Sequence, residues 1–436
     1  MRAPIITPQH GEGYIVGKAQ AWFAFALAFL LMASDFIDRQ VVVTMFPYLR
    51  AEWAVSDKEL GALIAVVSIT IAAASLPVAL LTDRWGRVKA IVVMGVLWSL
   101  ATVACGFAQS YGQLLAARSL IGLGEAGYGP AGGALLSSLF PQRIRATVIG
   151  AFLTAASVGS VAGVIVGGVI GAHWGWRAAF GIVGGPGLIL SLLFLFVRDY
   201  RTVALVAPTA EARLSLRRIA AELFRARSGV AAYIAGALQL ITVSTVYAWL
   251  PSYLNRVYAL SGETAGLEAA IVIIAGSVGA VVWSMLADRL GRRNPRYKLF
   301  VPAVCGVLTL LLLSGAFGLL RPGALQFATV ILGGFTMTAT TGAIPAVAID
   351  VVHPGLRATA GSMVAVVQNL FGLGVGPLIT GALSDAFGIE TALAIVPFSC
   401  LLSAVVLLLG SRSYADDLHY VHAAFGPDVA TLPQVA

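Results

Sequence analysis

Residues 81–87 read LTDRWGR and residues 286–292 read LADRLGR. Each heptad closes one long apolar run and opens the next, so each marks a short charged connection between two apolar segments. A second pair repeats at matched places: FPQRIRAT at 140–147 is echoed by VHPGLRAT at 352–359. Matched motifs at matched positions indicate two structurally equivalent halves, the pattern of parallel repeats that rock around a midplane site.

Outward from these connections, apolar runs fall at 20–47, 59–81, 89–108, 112–139, 145–171 and 177–197. A second set falls at 229–255, 265–287, 298–320, 324–350, 356–384 and 391–410. All twelve reach the roughly 20 residues that cross a bilayer's hydrocarbon core. Of 436 residues, 59% are hydrophobic and 11% charged, against roughly 25% charged in a soluble domain. The expected fold class is therefore an all-α membrane protein, with twelve transmembrane helices in two pseudo-symmetric six-helix bundles. The expected domains are a first bundle at 1–197, a linker at 198–228, a second bundle at 229–410 and a tail at 411–436. The first apolar run is too long for a signal peptide and carries internal charge, so it is read as a retained spanning helix.

Basic residues concentrate at the N-terminus and in the even-numbered connections, including Arg84, Arg87, Lys89, Arg143, Arg289 and Arg292. The positive-inside rule then places both termini and the linker in the cytoplasm of a multi-pass protein of the cell (inner) membrane. The net charge of +8 is thus a topology signal, and no nucleic-acid partner is expected. The linker contains LSLRRIAAELF, read either as an amphipathic helix on the inner leaflet or as a passive connector.

Cys105, Cys305 and Cys400 lie far apart within apolar runs, with neither metal-ligand nor disulfide spacing. His10, His173, His353, His419 and His422 fall in loops or tails. With no nucleophile–base pair, metal cluster or nucleotide-binding loop in the sequence, neither an enzyme nor an ATP-driven pump is expected. No cofactor is expected, and the proton gradient is the expected driving force.

The charges inside the first run carry the chemistry. Ser34–Arg39 read SDFIDR. At about 1.5 Å per residue from residue 20, Asp35 and Asp38 lie roughly 22 and 27 Å into the helix. Arg118 and Glu125, seven residues apart in the fourth run, share a face, and their depths overlap those of the acids. Ionisable residues in a spanning helix are costly and functional by default. The expected cluster is Asp35, Asp38, Arg39, Arg118 and Glu125, with Asp38 paired to Arg118 and one carboxylate in excess. A group whose protonation changes is a physical reason to bear that cost. As alternatives, the charges act as a staple between the two helices. The second half has no such midplane charge and offers hydroxyls and amides instead.

DRWGR and DRLGR in a twelve-run chain resemble the signature of the major facilitator superfamily. Further stretches, RSLIGLGEAGYGPAGGALLSSLFPQRIRA and RATAGSMVAVVQNLFGLGVGPLITGALSDAFG among them, are similar to the Spinster-like branch. That resemblance implies a secondary transporter using alternating access, with proton-linked movement of an anionic amphiphile such as a lysophospholipid. The alternatives are a proton-coupled carrier of small aromatic or sugar acids, or a non-transporting membrane sensor. The expected partners are the bilayer, such a substrate and protons, for a chain acting as a monomer. Tyr128 of the first half and Gln239, Tyr247 and Asn369 among the polar groups of the second are the further expected cavity residues, those of the second half alternatively serving as helix-packing hydrogen bonds. The expected cytoplasmic gate comprises Asp83, Arg84, Arg87 and Arg145 in the first half and Asp288, Arg289, Arg292 and Arg357 in the second. Three departures stand out. Ala79 and Ser284 replace the signature's first glycine, Asp35 stands where the branch often has Asn, and Ser138 stands where an acid often precedes the LFP turn.

Overall fold

The structure, a computed structural model, describes Tyr14, residues 16–197 and residues 216–425. The first part of the expected linker and the end of the expected tail lie outside the described residues, as do the side chains of Asp83 and Arg84.

Among the described residues the architecture is helical throughout. The first half holds α1 (Lys18–Thr44), α2 (Phe46–Trp53), α3 (Asp57–Trp85), α4 (Arg87–Gly106), α5 (Tyr111–Glu125), α6 (Tyr128–Leu139) and α7 (Gln142–Leu193). After α8 (Leu216–Leu223) come α9 (Arg227–Val257), α10 (Gly262–Gly291), α11 (Tyr297–Leu319), α12 (Ala324–Met337) and α13 (Thr340–Asp350). The chain ends in α14 (Arg357–Val367), α15 (Val375–Phe387), α16 (Ile389–Ile395) and α17 (Phe398–Phe425), with a π-helical turn at Gln368–Leu373.

Among the described residues, ten helical stretches are long and apolar enough to cross a membrane. One of them contains α7, which turns at Gly175, where φ is +79°, and so contributes two runs. Another run is α5 with α6, each short alone and separated at Ala126–Gly127. The count is consistent with twelve. Large apolar side chains such as Leu153, Ile189, Val281 and Leu311 stand exposed on the helices. Water would not tolerate so much exposed apolar surface, whereas lipid does.

The repeat seen in the sequence reappears in the backbone. The fourth run of each half is broken at a corresponding place, α5/α6 at Ala126–Gly127 and α12/α13 at Thr338–Ala339. The fifth and sixth runs of each half meet at a glycine of left-handed φ, Gly175 at +79° and Gly388 at +84°. Only glycine takes that conformation without strain, so the chain reverses without a loop.

The chain divides into two compact units. One is Met1–Val206 with Ala248–Ile273, and the other is Ala207–Tyr247 with Ile274–Ala436. They follow the two halves of the sequence except at residues 248–273, the adjoining ends of α9 and α10, which pack with the first half. In the first unit the small residues of α7 let α1 come close. A Cβ on Gly159 would strike Ala33 O, and one on Gly163 would stand 2.7 Å from Gln40 Cβ and 2.9 Å from Ile37 O. Gly159 and Gly163 of α7 therefore serve packing. The capping box at α3 is complete: Glu59 N donates to Ser56 Oγ (3.2 Å) and Ser56 N to Glu59 Oε2 (2.8 Å).

In the second unit Ala232, Tyr233 and Ala235 of α9 pack with Leu299 and Ala303 of α11, Ile344 and Val347 of α13 and Leu407 of α17. Helix α8 turns its apolar side, Ile219 and Leu223, onto Val352, Ala360 and Met363. Arg225 just beyond it donates to Val351 O (3.1 Å). The apolar face of α8 is thus taken up by protein.

Candidate functional site

Three helices meet around the charges of α1. Asp35 and Arg39 are one turn apart, and Arg39 Nε donates to Asp35 Oδ1 at 2.9 Å. Helix α5 ends at Glu125, whose Oε2 lies 2.7 Å from Arg39 Nη2. Glu125 also faces the Asp35 carboxylate, and its Oε1 accepts no hydrogen bond among the described residues. One guanidinium thus holds two carboxylates, and the triad carries one negative charge when all three groups are ionised. The Arg39 side chain is 21% exposed, against 6% for Asp35 and 0% for Glu125. The cation is the accessible member, and the anions brace it from behind.

Asp38 and Arg118 are placed otherwise than their depths suggested. Thr102 of α4 donates its hydroxyl to Asp38 Oδ2 at 2.9 Å. Arg118, 1% exposed, donates through Nε to Leu63 O on α3 at 3.2 Å. The expected Asp38–Arg118 ion pair is absent among the described residues. Depth along α1 and α5 took no account of α3 and α4, which supply nearer partners to both groups.

Tyr128 is buried and donates to Ala28 O at 2.7 Å, with Trp98 and Phe152 edge-on around it. It ties α6 to α1.

In the second unit, Gln239 is buried and donates Nε2 to Met337 O at 2.9 Å. Tyr247 sets its hydroxyl against the backbone of Gly276, which leaves no room for a Cβ there. Asn369 lies in the π turn and donates to Ala365 O at 2.9 Å. Such turns interrupt helices at functional sites more often than elsewhere. All three side chains contact the helix backbone here, and the buried Oε1 of Gln239 has no hydrogen-bond partner among the described residues.

At the motif loops the two halves differ. Arg87 donates Nη1 to Ala134 O and to Ser138 Oγ, both at 3.0 Å. Arg145 reaches Phe140 O at 3.5 Å. In the second half, Asp288, Arg289, Arg292 and Arg357 are exposed, with no ion pair among the described residues. The contacts are made instead by Asp350, whose Oδ2 accepts from Lys298 Nζ (2.8 Å) and from Tyr414 Oη (2.9 Å). Asp350 occupies the place that Ser138 holds in the first half. Sequence reasoning noted the missing acid at Ser138 and did not ask what its counterpart was.

A second ion cluster also went unread. Asp57, 2% exposed at the start of α3, accepts from Arg256 Nη1 (2.6 Å) and Nη2 (2.7 Å) and from Arg50 Nη1 (2.9 Å). Arg256 comes from the stretch of α9 that packs with the first half. Nearby, Trp249 stacks on Phe46 with centroids 5.2 Å apart.

The model of the Major Facilitator Superfamily matches residues 28–372. The chain belongs to the major facilitator superfamily. It is a multi-pass membrane protein of a family of transporters. Curated relatives include an MFS-type efflux pump of Mycolicibacterium smegmatis, 28% identical over 95% of this chain and 96% of the relative. A gallate transporter of Pseudomonas putida is 26% identical over 95% and 97%, and protein spinster of Drosophila melanogaster is 26% identical over 85% and 63%. Among solved structures, a bacterial homolog of the human lysosomal transporter Spinster superposes with a TM-score of 0.84 at 22% identity, over 92% of this chain and 99% of that one. The likeness to Spinster proteins expected from the motifs is therefore found in both sequence and fold.

Proposed function

We propose that this transporter carries an organic anion together with a proton, and that Arg39 receives the anionic group. The carrying observation is the Arg39 triad, a half-buried guanidinium braced by Asp35 and Glu125. With both acids ionised the triad is negative and repels an anion. One proton on Glu125 neutralises the triad and loosens its hold on Arg39 Nη2, whose planar donors suit a carboxylate or phosphate. Proton and anion then favour each other's binding by the same free energy, which is the requirement for symport.

Within this class a small aromatic or sugar acid is the leading substrate, because a single half-buried guanidinium meets a single carboxylate and the gallate transporter aligns along almost the whole chain. A lysophospholipid is the second reading, favoured by the alignment with protein spinster. The distribution of loop charge supports a cytoplasmic side for both termini.

The test is uptake into proteoliposomes with and without an inward proton gradient, offering gallate, a hexuronate and a lysophospholipid. Gradient-driven accumulation of an acid, lost in Arg39→Ala, is expected. Accumulation that is unaffected by Arg39→Ala, or equal in all gradients with Glu125 intact, overturns the reading.

A further inference from the structure

Beside the triad, the first half holds a second group of polar atoms that the proton-coupled reading does not use. Asp38 is 2% exposed and its Oδ1 has no hydrogen-bond partner among the described residues, nor does the fully buried Ser99 Oγ. Ser34 and Asp38 are one turn apart on α1, and Ser99 and Thr102 are one turn apart on α4, so each pair shares a face. The Thr102–Asp38 hydrogen bond of 2.9 Å shows that the two faces meet. Gly187 of α7 closes the third side. A Cβ there would stand 2.7 Å from Ser99 Oγ and 3.0 Å from Ser34 Oγ, so both hydroxyls lie against Gly187 and a side chain at that position would displace them.

We infer that this cradle is a sodium site built from Asp38, Ser34, Ser99 and Thr102 around Gly187. All four side chains offer oxygen, the ligand of hard cations. Each hydroxyl keeps acceptor lone pairs even while donating. One carboxylate among neutral hydroxyls supplies a single negative charge, which matches a monovalent ion. Among the described residues no group of three or more His, Cys, Asp or Glu is placed to hold a divalent or transition metal. The charged groups nearest Asp38 are Asp35 and Arg39 on its own helix and Arg118 on α5. Arg39 is tied to Asp35 and Glu125, and Arg118 is turned to Leu63 O. The Asp38 carboxylate is therefore buried without a counter-ion in contact, a costly state that a bound cation relieves.

The inference does not rest on the substrate or on proton coupling, and it is tested without either. The purified full-length protein is melted in detergent in sodium, potassium or choline chloride at equal ionic strength. Sodium is expected to raise the melting temperature saturably, as a ligand of the folded state does, while potassium and choline do not. Asp38→Asn and Gly187→Ala should lose the sodium increment. Ser99→Ala should raise the half-saturating sodium concentration about tenfold or more. Gly185→Ala, where a Cβ meets open space, should keep the wild-type response. Identical melting in the three salts means the cradle holds only water and overturns the site, as does a sodium increment that survives Asp38→Asn. If Asp38→Asn and Gly187→Ala do not fold, an unchanged half-saturating concentration in Ser99→Ala overturns it equally.

Discussion

Among the described residues the buried charges all lie in the first half, beside hydroxyls, whereas the buried polar groups of the second half are hydroxyls and amides alone. In the first, Arg39 holds Asp35 and Glu125, and Asp57 holds Arg256 and Arg50. In the second, Thr245 and Thr380 share a hydrogen bond of 2.7 Å, Thr309 and Thr336 one of 2.9 Å, and Ser403 donates to Ala235 O at 2.8 Å. A hydroxyl pair is satisfied in one arrangement and does not respond to protons. A carboxylate–guanidinium cluster costs more to bury, and its strength changes when a proton or an anion arrives. Two halves built on one repeated backbone thus differ, one burying charge and the other packing through neutral hydrogen bonds.

The contrast is broken most forcefully at Asp57. Asp57→Asn leaves Arg256 and Arg50 without their shared carboxylate. Removing one partner of a fully buried pair costs about 3–5 kcal/mol, and the half-exposed arginines reduce this to about 2–3 kcal/mol. A double-mutant cycle with Arg256→Gln, read by thermal melting, should return strong coupling. Additive losses would mean that the cluster is no more than a surface contact. Arg39→Ala comes next. The loss of a charge-assisted hydrogen bond, roughly 1.5–3 kcal/mol, should weaken binding of the anionic substrate about ten- to a hundredfold. Equilibrium binding measures it, and Arg39→Lys should recover only part, because a point charge lacks the planar fork.

The second half should answer differently. Thr380→Val removes two neutral hydrogen bonds, to Thr245 Oγ1 and to Gly376 O, and should cost about 1–2 kcal/mol of stability while leaving substrate affinity and gradient dependence as in the wild type. A changed pH profile in Thr380→Val would show that the fixed half also takes part in coupling. At the motif loops the comparison can be sharpened by making the halves alike. Ser138→Asp places an acid beside Arg87 where Asp350 stands beside Lys298, and a gain of at most about 1 kcal/mol is expected for such a partly exposed pair.

Much of this was legible in the sequence. The repeated motifs and the length of the apolar runs announced two six-helix halves, because a bilayer sets span length and the positions of charge. SDFIDR announced the charged site, because acids and arginines do not enter such helices by chance. The partner of each charge was harder to read. Asp35 and Arg39 lie one turn apart on one helix, and they pair. Depth along the helices paired Asp38 with Arg118 wrongly, since the choice between Arg118 and Thr102 depends on which helix lies against which. Asp57 escaped notice for a related reason. Its partner Arg256 is far along the chain, and both looked like ordinary loop charges. Asp350 was within reach, because the repeat that exposed Ser138 also pointed to its counterpart.

The smallest effect belongs to a charge at the rim, and it tests whether rim and interior charges differ. Glu52 of α2 receives Arg177 Nη2 (2.6 Å), Arg177 Nη1 (2.9 Å) and Trp176 Nε1 (2.7 Å), and Arg177 stacks over Trp176. The hydrogen bonds from Arg177 and then Trp176 hold the Glu52 carboxyl below the usual glutamate range. Because the folded value is the lower one, the contribution to stability is fully present above the unfolded value of about 4.3 and is lost as pH falls through the folded value. Glu52→Gln should therefore melt slightly below wild type at neutral pH. The gap should close as the pH is lowered from about 4.3, and added salt should narrow it at neutral pH, since exposed pairs are screened. A gap that persists unchanged at acid pH would mean that Glu52 acts through packing alone. A gap as wide as that of Asp57→Asn would remove the distinction between rim and buried charge.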